Sequence, residues 1–285
     1  MSIFSNQAKL TYDGFATHSN FVTGEIVSVL SASKTAVCTS YRFGDRITYI
    51  IRITNSGTTV LSDISLSDNL GAYCFGGETL VPLDYVEGSL LYYIDGILQP
   101  TPVAAAGPPL VVDGLCIPAG SSALLIYETF VNAFAPAGPG GSITNTATAF
   151  SDSLSAPLEA TETVTAAGSA SLIISKSLCP ASVTENGRLT YTFVIQNIGT
   201  SEATAEDAAA ITDTFDPVLS GVSVTYNGIA WSAPENFTYD EASGLFSTLP
   251  GQITVPAATF VQDPVTGKHV MTPGVATVQV SGIVQ

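Results

Sequence analysis

The sequence predicts an all-β chain of two tandem sandwich domains preceded by a separate hairpin, and three observations carry that prediction. Apolar and polar residues alternate over long runs: Ile47, Tyr49, Ile51 and Ile53 are set against Thr48, Arg52 and Thr54, a period of two that turns one strand face into a core. The pattern occurs twice. Leu189, Tyr191, Phe193 and Ile195 repeat it, and Arg46/Arg188, Tyr49/Tyr191 and Asn55/Asn197 keep a single spacing of about 142 positions. Turn residues then punctuate the strands. Asn55-Ser56-Gly57 and Asn197-Ile198-Gly199 close the two copies with residues that tolerate left-handed backbone. Asp95-Gly96 and Asn227-Gly228 sit between strand-like runs as hairpin turns.

Taken in order, residues 1–30 read as a closing hairpin with no domain in front of it. Phe4, Asn6 and Ala8 match Ile143, Asn145 and Ala147 at an offset of about 139, and Glu25-Ile26 matches Thr163-Val164. Each hairpin is followed by a lysine strand, Ser31 to Cys38 or Leu172 to Cys179. The first domain, residues 31–168, is a complete repeat. The second, residues 169–285, is expected to lack its closing hairpin: Val275 to Val284 corresponds to Ala123 to Asn132, after which only the first repeat continues. Pro100 to Pro109 and Pro136 to Gly141 read as exposed loops, and Ser201 to Ala210 as either a short helical turn or a polar loop. Short strands recurring every ~8–12 residues give a sandwich of the immunoglobulin-like kind.

The chain's 285 residues suit two domains. It is 46% hydrophobic and 11% charged, with 25 Gly and 16 Pro, a composition of turns and buried strands. Eight basic against 24 acidic residues give a net charge of −16, which repels phosphate backbones and excludes a nucleic-acid partner. No apolar run approaches the ~18 residues of a membrane span, and MSIFSNQAKL does not read as a signal peptide. Cys38, Cys74, Cys116 and Cys179 match no metal or redox spacing. They are either small buried hydrophobes or disulfide partners, within or between subunits. No catalytic constellation stands out. His18 and His269 lie in polar contexts, Asp63, Asp68, Asp207, Asp213 and Asp216 form no calcium loop, and no cofactor or metal is expected. A binding module, with Pro100 to Pro109 and Glu235 to Leu245 as recognition loops, is the competing functional class.

The units GDRITYIIRITNSGT, DISLSDNL and SITNTATA, with NGRLTYTFVIQNIGT and ITDTFD in the second copy, resemble a repeat of unknown function found in bacterial surface proteins. Its hallmarks are a Tyr-containing strand ending in Asn-x-Gly, an Asp-Asn-Leu segment and a closing Asn-x-Ala strand. The layout and the 29.4 kDa mass resemble the ribbon proteins of clostridial spore appendages. That resemblance implies an extracellular structural role on the spore surface after assembly in the mother cell. Its partners would be further copies of the chain and other spore or cell-surface proteins.

A sandwich without its last hairpin exposes unpaired backbone along a sheet edge. Either the spare hairpin folds back on its own second domain, giving a closed monomer of the adhesin type, or it completes the next subunit by strand donation. Head-to-tail contacts of the second kind do not close and build a filament. The expected donor residues are Phe4, Asn6, Ala8, Leu10, Tyr12, Val22 and Ile26. The expected acceptor is the strand bearing Val275, Thr277, Gln279, Ser281 and Ile283, or its sheet neighbour. Sandwiches of this broad type also carry Lys–Asn amide cross-links promoted by a buried acid. This implies the pairs Lys34–Asn145 within a chain and Lys176–Asn6 between neighbours, with Asp68 and Asp213 as the acids. The alternative is that the lysines snorkel and the asparagines cap turns.

Overall fold

The computed structural model describes residues 2–26, 29–151, 154 and 156–285, and the fold is all-β. The first four strands, β1 (Ser2–Asn6), β2 (Lys9–Tyr12), β3 (Phe15–His18) and β4 (Val22–Ile26), form one long hairpin, β1 pairing β4 and β2 pairing β3. Its tip is Asp13-Gly14, both at positive φ, the backbone of a tight hairpin turn.

Domain 1 contains β5 (Leu30–Ala36), β6 (Ser40–Tyr41), β7 (Arg46–Asn55), β8 (Leu61–Asp68), β9 (Tyr73–Phe75), β10 (Glu78–Leu80), β11 (Leu83–Tyr85), β12 (Leu91–Ile94), β13 (Ile97–Leu98), β14 (Val103–Ala105), β15 (Leu110–Ile117), β16 (Ser122–Val131), β17 (Ser142–Phe150) and β18 (Leu158–Ala166). One sheet has the order β13-β12-β16-β7-β5, with β11 also on β16. The other has the order β14-β15-β8-β17-β18-β6. The alternation read from the sequence is the alternation of burial: Ile47, Tyr49, Ile51 and Ile53 of β7 are buried, meeting Ile64, Leu66, Ile143 and Val164 of the second sheet in one core.

Domain 2 repeats the first sheet but not the whole of the second. It contains β19 (Leu172–Cys179), β20 (Arg188–Asn197), β21 (Thr212–Thr214), β22 (Leu219–Tyr226), β23 (Ile229–Trp231), β24 (Phe237–Asp240), β25 (Leu245–Thr248), β26 (Thr259–Gln262), β27 (His269–Thr272) and β28 (Gly274–Val284). The order β19-β20-β28-β22-β23 mirrors β5-β7-β16-β12-β13, while the opposing layer is only β21-β25-β24. Aromatic side chains fill the space between, Phe215 stacking on Tyr191 at 4.6 Å and on Phe246 at 5.6 Å between ring centroids.

Three expectations change. The strand bearing Val275, Thr277, Gln279, Ser281 and Ile283 is not an acceptor edge, because β28 lies inside its sheet with β20 on one side and β22 on the other. Both of its backbone edges are engaged, so an added strand has nothing to pair with there. The register also makes Val284 the counterpart of Val131, one residue from the sequence match to Asn132. Finally, Asn55 and Asn197 are not left-handed turn residues; they act through their side chains. The buried Asn55 amide donates to Thr59 O, Ile117 O and Pro118 O and accepts from Gly57 N. Asn197 repeats this with Ser201 O, Val255 O and Gly199 N. The 201–210 stretch holds a single 3-10 turn, Ala205–Asp207, capped by Thr204.

Each asparagine ties the end of the central strand to the loop of the opposite sheet. Asn55→Ala and Asn197→Ala should each destabilise their own domain by about 1–3 kcal/mol, because buried carbonyls lose their donor. Urea unfolding of each variant checks this, and Asp at either position should not rescue, having no amide hydrogens to give.

Candidate functional site

Domain 1 shows what a completed sandwich of this chain looks like. Strand β17 pairs β8, with Ala147 opposite Asp68 and Ala149 opposite Leu66, and β18 covers its far side. Ile143, Asn145, Ala147 and Ala149 alternate inward and are buried. They seal a polar cluster in the core. Lys34 Nζ lies 2.5 Å from Asp68 Oδ2, with side chains 0% and 1% exposed. The Tyr127 hydroxyl donates to the same oxygen, and Asp68 Oδ1 accepts from Leu70 N at 2.9 Å. Asn145 Nδ2 donates to Tyr127 Oη at 3.4 Å, and the Asn145 carbonyl oxygen is buried without a hydrogen-bond partner among the described residues. The ammonium sits 4.9 Å from the Tyr49 ring centroid. Burial lowers the Lys34 amine to about 8 even beside the Asp68 carboxylate, so a sizeable share of it is neutral and nucleophilic in mildly alkaline solution.

Domain 2 has the same cluster, opened. Lys176 pairs with Asp213 but the side chains are 40% and 21% exposed, and Lys176 Nζ sits 4.4 Å from the Tyr191 ring centroid. Asp213 marks β21 as the counterpart of the end of β8. Strand β21 pairs β25 alone, so the edge that β17 occupies in domain 1 has no strand on it among the described residues. The face covered by β18 in domain 1 is also bare: every position of β19 is exposed, Ile174 at 57%. An apolar groove of about 160 Å³ runs between Leu172, Ile174 and Ile195 on one side and Ala210, Ile211 and Ile253 on the other. The open edge among the described residues is therefore that of β21, across the sandwich from β28, and the bare face beside it is that of β19, the outer strand of β28's own sheet.

The hairpin presents a matching face. Cross-strand partners share a face, so Phe4 and Asn6 lie on one side of their ladder with Gly24 and Val22, and Leu10 and Tyr12 lie on one side of theirs with Thr17 and Phe15. Phe4, Leu10, Tyr12, Phe15 and Val22 are all exposed, and Ala8 is held by its backbone to Ser19. Ile26 is described only through its backbone pairing with Ser2. The Phe4 ring lies flat over Gly24, where a Cβ would collide with it. This free hairpin is out of step with the closed one. Ile143 faces Val164 in domain 1, and the matching residues Phe4 and Ile26 face different partners, Gly24 and Ser2. The displacement is two residues, which keeps the same side chains on the same face.

The remaining expected residues scatter. The four cysteines are free thiols: Cys38 is half-buried, its thiol pushed up by desolvation, and Cys74, Cys116 and Cys179 are exposed. His18 lies on the exposed hairpin, while half-buried His269 donates its backbone N–H to Ala133 O. No group of three or more His, Cys, Asp or Glu is placed to hold a metal among the described residues, and no described helix is long and apolar enough to cross a membrane. Sequence reasoning missed Tyr127, whose inward position in β16 was legible from alternation but whose hydroxyl partner was not.

The contrast in burial gives a contrast in energy. Asp68→Ala should destabilise domain 1 by about 3–5 kcal/mol, since it strands a buried ammonium. Asp213→Ala should cost domain 2 only about 0–1 kcal/mol, its lysine being solvated. Differential unfolding of the two variants, with the hairpin deleted to keep them monomeric, tests this.

No family model matches the chain, and no curated protein matches it. Solved structures do, at low superposition. The chain is similar to the major pilin subunit BcpA of Bacillus cereus, at 11% identity over 96% of this chain and 73% of that one, with a TM-score of 0.36. It is also similar to the pilus backbone RrgB of Streptococcus pneumoniae, at 9% identity over 86% of this chain and 55% of that one, TM-score 0.34. The third comparison is the collagen-binding domain of a Staphylococcus aureus adhesin, at 13% identity over 49% of this chain and 99% of that one, TM-score 0.31.

Proposed function

We propose that the chain is a structural subunit that polymerises head to tail by strand donation into an extracellular fibre. The observation that carries this reading is the match between an unfilled position and an unused segment. Domain 2 has bare β21 and β19 where domain 1 has β17 and β18. The hairpin that resembles β17 and β18 in sequence, Asn6 for Asn145 included, stands exposed with its apolar face to solvent. Donation from a second copy would extend the β25-β21 ladder, bury Phe4, Leu10 and Tyr12 over the groove, and place Asn6 beside Lys176 and Asp213. Catalysis is not part of this role. The spore surface as the site of assembly rests on the sequence resemblance alone.

The same reading gives the lysine clusters a covalent use. In domain 1 the neutral Lys34 amine attacks the Asn145 carboxamide carbon. The new C–N bond forms as the C–Nδ2 bond breaks, Asp68 relays the amine's proton to the leaving nitrogen, and ammonia departs. In the fibre Lys176, Asp213 and the donated Asn6 would do the same between subunits.

Strand donation and the covalent step are tested separately. Electron microscopy of the intact chain should show long thin filaments, absent from a chain lacking residues 1–26, and adding the hairpin as a peptide should cap growth into short oligomers. Tryptic cleavage after Lys9, on the exposed hairpin, should be suppressed on assembly. A compact monomer with the Lys9 site protected would instead mean that the hairpin closes on its own domain, the architecture of a monomeric surface-binding module. Separately, intact mass of the hairpin-deleted chain should fall by one ammonia, about 17 Da, and Lys34→Ala or Asn145→Ala should restore full mass. Denaturant-resistant oligomers that vanish with Asn6→Ala are the expected sign of the bond between subunits, and full mass in every form refutes the covalent step.

A further inference from the structure

Each repeat carries a hairpin that the other lacks, and the two hairpins meet. Domain 1 runs from Asp68 through the β9–β10 hairpin to Leu83, where domain 2 runs directly from Asp213 to Leu219. Domain 2 leaves Val255-Pro256-Ala257 through the β26–β27 hairpin to reach β28, where domain 1 turns from Ile117-Pro118-Ala119 straight into β16. Gln262 Nε2 donates to Tyr73 Oη at 3.2 Å, and Tyr73 Oη donates to Phe134 O at 2.7 Å. His269 N donates to Ala133 O at 2.7 Å. Phe260 meets Phe43 with ring centroids 6.2 Å apart, and Lys268 Nζ lies 5.8 Å from the Phe134 centroid. Gly267, at positive φ, packs so closely on Leu80 that it has no room for a Cβ. Arg42 to Ser169, at 2.7 Å, adds a tie across the same joint.

We infer that these insertions form a clasp that denies the hairpin its own acceptor and so directs strand donation to a second copy. This rests on the strand-donation reading above. The hairpin is rooted at Leu30, beside Asn55 at one end of domain 1; the clasp holds the other end, near Arg42 and Phe134. In domain 1 the covering strand β18 ends beside β6, at that clasped end. The equivalent point in domain 2, near Cys179 and Arg188, is its far end, since Ile198 and Thr200 face the joint. A ten-residue strand spans about 33 Å, so with the domains end to end the root lies roughly 65 Å from where it would have to be. Three residues separate Ile26 from Leu30, a reach of about 14 Å including the flanking bonds. Only a domain pair free to fold about the joint brings the two ends together. A tethered donor then acts at an effective concentration near millimolar, which beats a micromolar second copy by about 10²–10³-fold.

Neither half of the clasp exists at the joint between subunits: the domain 2 that accepts has no β9–β10 and the incoming domain 1 has no β26–β27. Joints along the fibre therefore alternate, clasped within a subunit and unclasped between subunits.

The test removes residues 260–271; Thr259 and Thr272 are cross-strand partners, so the chain rejoins across one rung. Gly267→Val, which wedges the clasp without deletion, serves as the second variant, and thermal unfolding verifies that both fold. Each is examined by sedimentation at micromolar concentration beside the unmodified chain. The expected result is a drop of roughly 10²-fold in polymer formation, with a closed monomer in which the hairpin is protected from tryptic cleavage after Lys9. X-ray scattering of forms lacking residues 1–26 reads the joint directly and should show a broader distribution of domain separations in the variants. Undiminished polymerisation with a loosened joint overturns the inference, as does a joint that scattering finds unchanged. Absence of polymer from the unmodified chain overturns strand donation itself.

Discussion

Every strand in a sandwich core has two backbone edges and one apolar face to satisfy, and this chain satisfies them completely in only one of its two domains. In domain 1 the pair β17–β18 supplies the neighbour for β8 and the cover for β5 together. In domain 2 both requirements are left to solvent at one place. An unpaired edge beside an uncovered apolar face templates a strand from another molecule. The polymerising behaviour proposed here is the folding requirement of domain 2 carried across a molecular boundary.

The lysine clusters show how much depends on that cover. Lys34 and Lys176 hold the same position in equivalent strands, face equivalent tyrosines and pair with equivalent aspartates. What differs is the covering hairpin. Beneath it Lys34 is fully buried and its pKa is depressed by desolvation, while without it Lys176 remains in partial contact with water. A buried charge is tolerated only with a partner of good geometry, and in domain 1 one aspartate receives the ammonium, the Tyr127 hydroxyl and a backbone N–H together. In domain 2 the register puts Val280 where Tyr127 stands, so the open cluster has one donor fewer and a looser hold on its acid.

Much of this was legible in the sequence because period-two alternation and a fixed repeat are local signals. The β7 and β20 faces, the Asp95-Gly96 and Asn227-Gly228 turns and the kinship of the two hairpins all follow from residues close in the chain. Strand neighbours are not local. The sequence pointed to β28 as the open edge because it precedes the expected hairpin, but order along the chain is not order in a sandwich: the strand that follows β16 crosses to the other sheet and pairs β8. The asparagines ending β7 and β20 look like turn formers by type, and only the opposing loop shows that their amides are ties. The clasp was hidden for another reason. An insertion breaks the repeat instead of extending it, so the same comparison that finds the domains passes over what joins them.

The length of β21 bears on how strand donation would proceed. Its counterpart β8 covers eight residues and β21 only three, although Ala208 to Ile211 lie just before it in the chain. A strand with one neighbour is held by half the ladder, and the unpaired remainder has nothing to straighten it. Five exposed donor side chains, Phe4, Leu10, Tyr12, Phe15 and Val22, offer about 1.5–3 kcal/mol each on full burial, roughly 10 kcal/mol in all. Association itself costs about 4–15 kcal/mol, so apolar burial alone does not drive a permanent contact. The balance falls to the main-chain bonds that form as the donor lengthens β21 toward the length of β8. Those bonds require the register of the closed hairpin. The free hairpin is displaced from it by two residues, so β1 and β4 have to slide past one another on insertion. That slide keeps Phe4, Asn6 and Val22 facing the groove throughout.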